Sequence, residues 1–132
     1  MEKKEQTFQS AKTWNYDLNE EWHVFAGKTD EDNDILSTEQ AKKNAYWFHV
    51  HGQPGSHVIL QGPERQKPSK GLLKMAAAIA AWHSKARNGG ACTVDYTLAC
   101  FVTKPKHVHA GTVTITHQKT IKIKPELPPT RP

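Results

Sequence analysis

Tyr46-Trp47-Phe48-His49-Val50-His51 and His57-Val58-Ile59-Leu60-Gln61 flank Gly52-Gln53-Pro54-Gly55-Ser56, and the reading of this stretch decides the fold. Two runs rich in aromatic and β-branched residues, separated by a connection full of turn formers, read as a β-hairpin. Successive strand residues point to opposite faces, so placing His51 across from His57 puts Phe48, Val50, Val58 and Leu60 on one side. Trp47, His49, His51, His57 and Ile59 then share the other. The first side is an ordinary core. The second gathers three imidazoles and an indole, an unusual set for a purely structural surface.

Downstream, residues 62–68 read as a loop, and Ser69 is a natural N-cap after Pro68. Leu72, Met75, Ala76, Ile79, His83 and Ala86 recur at helical spacing, which predicts a helix from Lys70 to about Arg87 with Gly89-Gly90 as its stop. Its alanines allow close packing on a sheet. An alternating run from Cys92 to Val102 follows, then a loop at residues 104–109. A second hairpin is predicted from residues 112–116 and 120–124, with Val113, Ile115, Ile121 and Ile123 inward and the intervening Thr and Lys residues outward. Upstream, short strands are expected around residues 7–10 and 21–26, a turn-rich acidic loop at 27–34, and a short helix at 37–41. That loop lacks the glycine and final glutamate of a calcium loop, so calcium is rejected. The sum is one α+β domain over residues 1–124: mainly an antiparallel sheet of hairpins, with one long helix packed on a face and a short second helix. Four prolines within residues 125–132 predict an extended, flexible tail.

The chain has 132 residues, 36% of them hydrophobic and 23% charged, which suits one globular domain. No run of apolar residues is long enough to cross a membrane. Residues 1–7 carry charges with no apolar stretch behind them, so the expectation is a cytoplasmic protein without membrane attachment. The net charge of +5 is unevenly spread: residues 1–50 sum to −4 and residues 51–132 to +9. Such a split favours a polyanionic partner, although solubilising lysines give the same count. Cys92 and Cys100 would lie about 26 Å apart on one strand, so they are read as buried free thiols in a reducing compartment.

Several motifs together resemble one known family. Trp47-Phe48-His49-Val50 with Pro54-Gly55-Ser56-His57-Val58-Ile59-Leu60 is similar to the signature of the NFACT-R domain. The likeness continues in Ala80-Ala81-Trp82-His83-Ser84-Lys85-Ala86-Arg87, Val94-Asp95-Tyr96-Thr97, Lys104-Pro105, Gly111-Thr112-Val113 and Lys119-Thr120-Ile121. Upstream, Gly27-Lys28 and Asn33-Asp34-Ile35-Leu36 match as well. The chain departs from the family pattern at Thr29, Ala45 and Ala110, where Asn, Asp and Pro are frequent. The resemblance implies an RNA-binding module of the kind found at the end of longer fibronectin-binding-protein-A-like and ribosome-quality-control proteins. It implies ribosomal or tRNA-type RNA as ligand, ribosomal proteins as further partners, and neither catalysis nor a cofactor. Here the module is read as a free-standing domain.

The residues give this reading a chemistry. Lys70, Lys74, Lys85 and Arg87, joined by Lys104, are candidate phosphate contacts. Trp47, His49, His51 and His57 offer rings and donors suited to bases and sugar hydroxyls, and Ser56 with the amides around Gly55 can hold a phosphate. Lys85 and Arg87 lead, with His49, Ser56 and His57 as the recognition edge. Each has a plainer alternative: solvated surface for the lysines, core packing for Trp47, buried scaffolding for His49 and His57. A rival class is a metal enzyme in which His49, His51 and His57 form a three-histidine site, but the sequence puts no carboxylate securely beside this hairpin. A third is a protein-interaction module working through the acidic half or the tail.

Overall fold

The computed structural model describes residues 10–129. Six strands form an antiparallel sheet in the order β1-β2-β4-β3-β5-β8: β1 (Thr13–Asp17), β2 (His23–Gly27), β3 (Tyr46–Val50), β4 (Val58–Gln61), β5 (Cys92–Leu98) and β8 (Lys119–Ile123). A short pair, β6 (Val102–Thr103) and β7 (Thr114–Ile115), forms a second sheet. The α+β expectation holds, with 13 residues in the long helix α2, Lys70–Trp82, and a shorter α1, Asp30–Ile35, that runs into a π-helical turn at Leu36–Gln40.

The hairpin is present, and its two faces divide as the alternation requires. Phe48, Val58 and Leu60 join Val24, Ala26 and Val94 under α2, whose residues Ala76, Ala77, Ile79, Ala80 and Ala81 are fully buried. Four of these five are alanines, whose single methyl groups let the helix lie close on the sheet. Trp47 and Ile59 face the other way, into a smaller core with Leu36, Ala45, Ala99 and Val102. The register differs from the expected one by two residues: Tyr46 pairs with Leu60, Trp47 with Ile59 and Phe48 with Val58. An even shift exchanges partners but leaves every side chain on its face.

Other expectations need correcting. The N-terminal strand lies at Thr13–Asp17; residues 7–9 of its expected place lie outside the described residues, and Ser10 is in no strand. The acidic loop is the helix α1. Thr29 accepts from the Asp32 amide at 3.1 Å and donates its hydroxyl to Asp32 Oδ2 at 2.8 Å, while Asp30, Glu31 and Asp32 suit the positive end of the helix dipole. The helix α2 begins where expected, with the Leu72 amide on Ser69 Oγ, but stops at Trp82 rather than Arg87. Backbone groups beyond that point bond to the β3–β4 connection instead. The second hairpin does not form: β7 pairs with β6, and β8 with β5. Ile121 and Ile123 thereby reach the α2 side. A 3₁₀ turn at Ala99–Phe101 interrupts the expected strand through Cys100, and Cys100 is exposed rather than buried, though both thiols are free. The proline-rich segment starts out docked, with the Glu126 amide donating to Ala78 O at 3.2 Å and Leu127 packed on the core.

Candidate nucleic-acid interface

The tip of the β3–β4 hairpin adds itself to the chain leaving α2. The Ser56 amide donates to His83 O at 2.8 Å, and the Lys85 amide to Pro54 O at 3.1 Å. Gly55 bridges to Ser84, and a Cβ on Gly55 would lie only 2.7 Å from Ser84 Cβ, so this approach requires glycine. Ser56 Oγ donates to Gly27 O at 2.6 Å, which draws in the end of β2. Between these segments lies a groove of about 360 Å³, lined on its walls by Trp14, Lys28, Ser56, His83, Lys85 and Arg87, with Asp30 the acidic member of the lining.

Among the described residues, no carboxylate lies within ion-pair distance of Lys28, Lys85 or Arg87. Arg87 Nε donates to Trp82 O at 2.6 Å, and its guanidinium lies 4.7 Å over the Trp82 ring. The side chain thus closes the helix end through Nε, and among the described residues no carboxylate pairs with its guanidinium. Trp14 stacks on His83 with ring centroids 4.5 Å apart and planes at 17°. His83 Nε2 lies 2.7 Å from Tyr16 Oη. Burial, then the nearby Arg87, lowers the pKa of His83 to about 4, so the ring is neutral at physiological pH.

The sequence-predicted site residues separate into groups. Ser56, Lys85 and Arg87 come together at this groove. His57 is buried and works as a brace: His57 Nε2 lies 3.1 Å from Gly111 O, and because a carbonyl can only accept, Nε2 carries the proton. Nδ1 is therefore an acceptor, and Ser37 Oγ, 2.8 Å away, donates to it while accepting the Trp47 Nε1–H at 3.1 Å. Trp47 is 3% exposed, which removes its ring from base stacking. His49 stands half-buried beside them, edge-on to His57 at 5.5 Å. Burial lowers the pKa of both histidines, His57 to about 4 with a further contribution from His49.

Gly111 takes φ +87°, a glycine conformation, and its amide donates to Asp34 Oδ1 at 3.0 Å. Lys104 pairs with Asp34 Oδ2 at 3.1 Å and donates to His109 O and Thr112 O; it fastens a loop rather than facing outward. Lys70 and Lys74 lie on the first turns of α2, with Lys70 about 18 Å along the helix from Trp82 at 1.5 Å per residue. His51 points elsewhere, its Nδ1 2.9 Å from Asp95 Oδ2. Asp95, the nearest candidate carboxylate on a strand, whose position the sequence leaves open, therefore does stand beside the hairpin. The three imidazoles do not converge, and among the described residues no three His, Cys, Asp or Glu side chains form a group suited to a metal ion. Sequence reading missed Trp14, Lys28 and His83 as groove residues.

Asp34, Trp47, His57, Lys104 and Gly111 are thus joined through hydrogen bonds, and the His57 amide donating to Asn33 Oδ1 at 3.1 Å ties them to the groove lining. Residues 12–117 match the model of the NFACT protein RNA binding domain. The chain belongs to the NFACT RNA-binding domain family. Within that family it is 35% identical over 103 residues to a Bacillus subtilis protein named Rqc2 homolog RqcH, and 37% identical over 102 residues to the protein of that name from Streptococcus suis. These matches cover 78% and 77% of this chain but 18% of each relative, so the NFACT domain spans under a fifth of their length. The solved C-terminal part of the fibronectin/fibrinogen-binding protein from Streptococcus suis superposes with a TM-score of 0.80 at 32% identity, over 94% of this chain and 49% of that one. Among the described residues, no helix is long and apolar enough to cross a membrane.

Proposed function

We propose that this domain binds RNA without catalysing a reaction, and that the groove between the hairpin tip and the end of α2 is its principal contact. The observation that carries the reading is the convergence of Lys28, Lys85 and Arg87 around one groove in a member of an RNA-binding family. Cations gathered on a concave surface attract a phosphate backbone and release its counterions. Ribosomal or tRNA-type RNA is the ligand class, in keeping with relatives named for Rqc2 and with the ribosome-quality-control resemblance. Lys70 and Lys74 extend the cationic surface along α2, while His49 and His57 support the groove from behind.

A salt series tests this reading. Affinity for RNA is expected to fall steeply with salt, and Lys28→Gln and Lys85→Gln each to lower the slope of log K against log salt by about 0.7–0.9. Wild-type protein that ignores RNA in dilute buffer, or variants that bind like wild type, would overturn it.

A further inference from the structure

We infer that the groove takes an unpaired nucleotide, its base laid on Trp14 and its flanking phosphates held by Lys28, Lys85 and Arg87; this rests on the RNA-binding reading above. Trp14 is 40% exposed, although it stands on the face of the sheet that α2 covers elsewhere, next to its strand partner Ala26, which is fully buried. Because α2 stops at Trp82, the helix does not extend over the indole, and His83 just beyond its end stacks on it.

The stacking on His83 fixes the plane of the ring, and the Tyr16 hydroxyl fixes the imidazole in turn. An aromatic face held in place beside phosphate-seeking cations is the arrangement that single-stranded nucleic-acid binders use, since every base has a face to offer. Lys28 Nζ lies over the Trp14 ring, 5.3 Å from its centroid, so a base laid on the indole displaces this exposed ammonium from the ring face towards the adjoining phosphate. A base-paired helix keeps its base faces stacked inside and cannot use such a ring. The groove volume, about 360 Å³, is at the small end of single-ligand sites and has room for one nucleotide.

The test measures binding of short fluorescein-labelled oligouridine and oligoadenosine, alone and annealed, by anisotropy in low salt. Single strands are expected to bind more tightly than the duplex. Trp14→Ala should weaken the single-strand complex about 5- to 100-fold with the salt slope unchanged, because no charge is removed. Trp14→Phe should retain most of the affinity. Unlabelled single strand should quench tryptophan emission in the wild type and much less in Trp14→Phe, a readout that a merely destabilised protein would not reproduce. Duplex bound as tightly as single strand, with Trp14→Ala indifferent, would overturn the inference and leave RNA binding intact. Wild-type protein that binds neither strand would overturn the functional reading and this inference with it.

Discussion

Ser37 serves two buried partners with one hydroxyl, and removing it would orphan both. Ser37→Ala leaves the Trp47 Nε1–H without an acceptor and His57 Nδ1 without a donor. A loss of about 2–4 kcal/mol in unfolding free energy is expected from urea titration, whereas Thr38→Ala, on the exposed neighbour, should change it by about 0.5 kcal/mol or less. Equal effects would mean that the buried relay contributes nothing. The hairpin signature could be read at this scale only in part. Residue types announced that Trp47 and His57 matter, but not that they matter as scaffold, since an indole or imidazole serves a core or a ligand equally well. Trp14 shows the reverse case. Nothing within its polar stretch marks it out, and its exposure follows from where a distant helix ends. Arg87 also holds the end of α2 through Trp82 O, which is why Lys28 and Lys85 give the cleaner test of the proposed binding.

The contact between the hairpin tip and the end of α2 is what shapes the groove at the level of elements. Gly55→Ala would drive a methyl group against Ser84, at an expected cost of about 1–3 kcal/mol. The effect should be local: amide exchange at Ser56 and Lys85 should accelerate while Val24 and Leu60 in the central strands stay protected. Unchanged exchange at the tip would show that the docking is not held by this close approach. The same contact explains why the helix end was illegible. Apolar spacing continues to Ala86, but the backbone at His83 and Lys85 finds better partners on the hairpin. The capping pair Thr29 and Asp32 starts α1 inside a stretch that reads as a turn-rich loop, because the surrounding Gly, Asp and Asn residues favour turns equally well.

Taken as a whole, the molecule buries uncharged imidazole in two separate places, behind the groove and beside Trp14. In the unfolded chain His57 and His83 accept protons near pH 6.5, whereas in the fold both resist until about pH 4. Below the ordinary histidine value the unfolded state therefore binds more protons, so stability is full above about pH 6.5 and declines as pH falls towards 4. The urea midpoint should follow that course, less steeply in His83→Gln; a midpoint that does not move across the window would refute it. Charge asymmetry, strand faces, the start of α2 and the family signature were all fixed by the sequence alone, because periodicity, caps and motifs are properties of neighbouring residues. Strand partners for β7 and β8, the length of α2 and the meeting of Trp14 with His83 were decided only in the tertiary structure. Those depend on which distant backbone groups and side chains win the competition for the same hydrogen bonds and the same buried space.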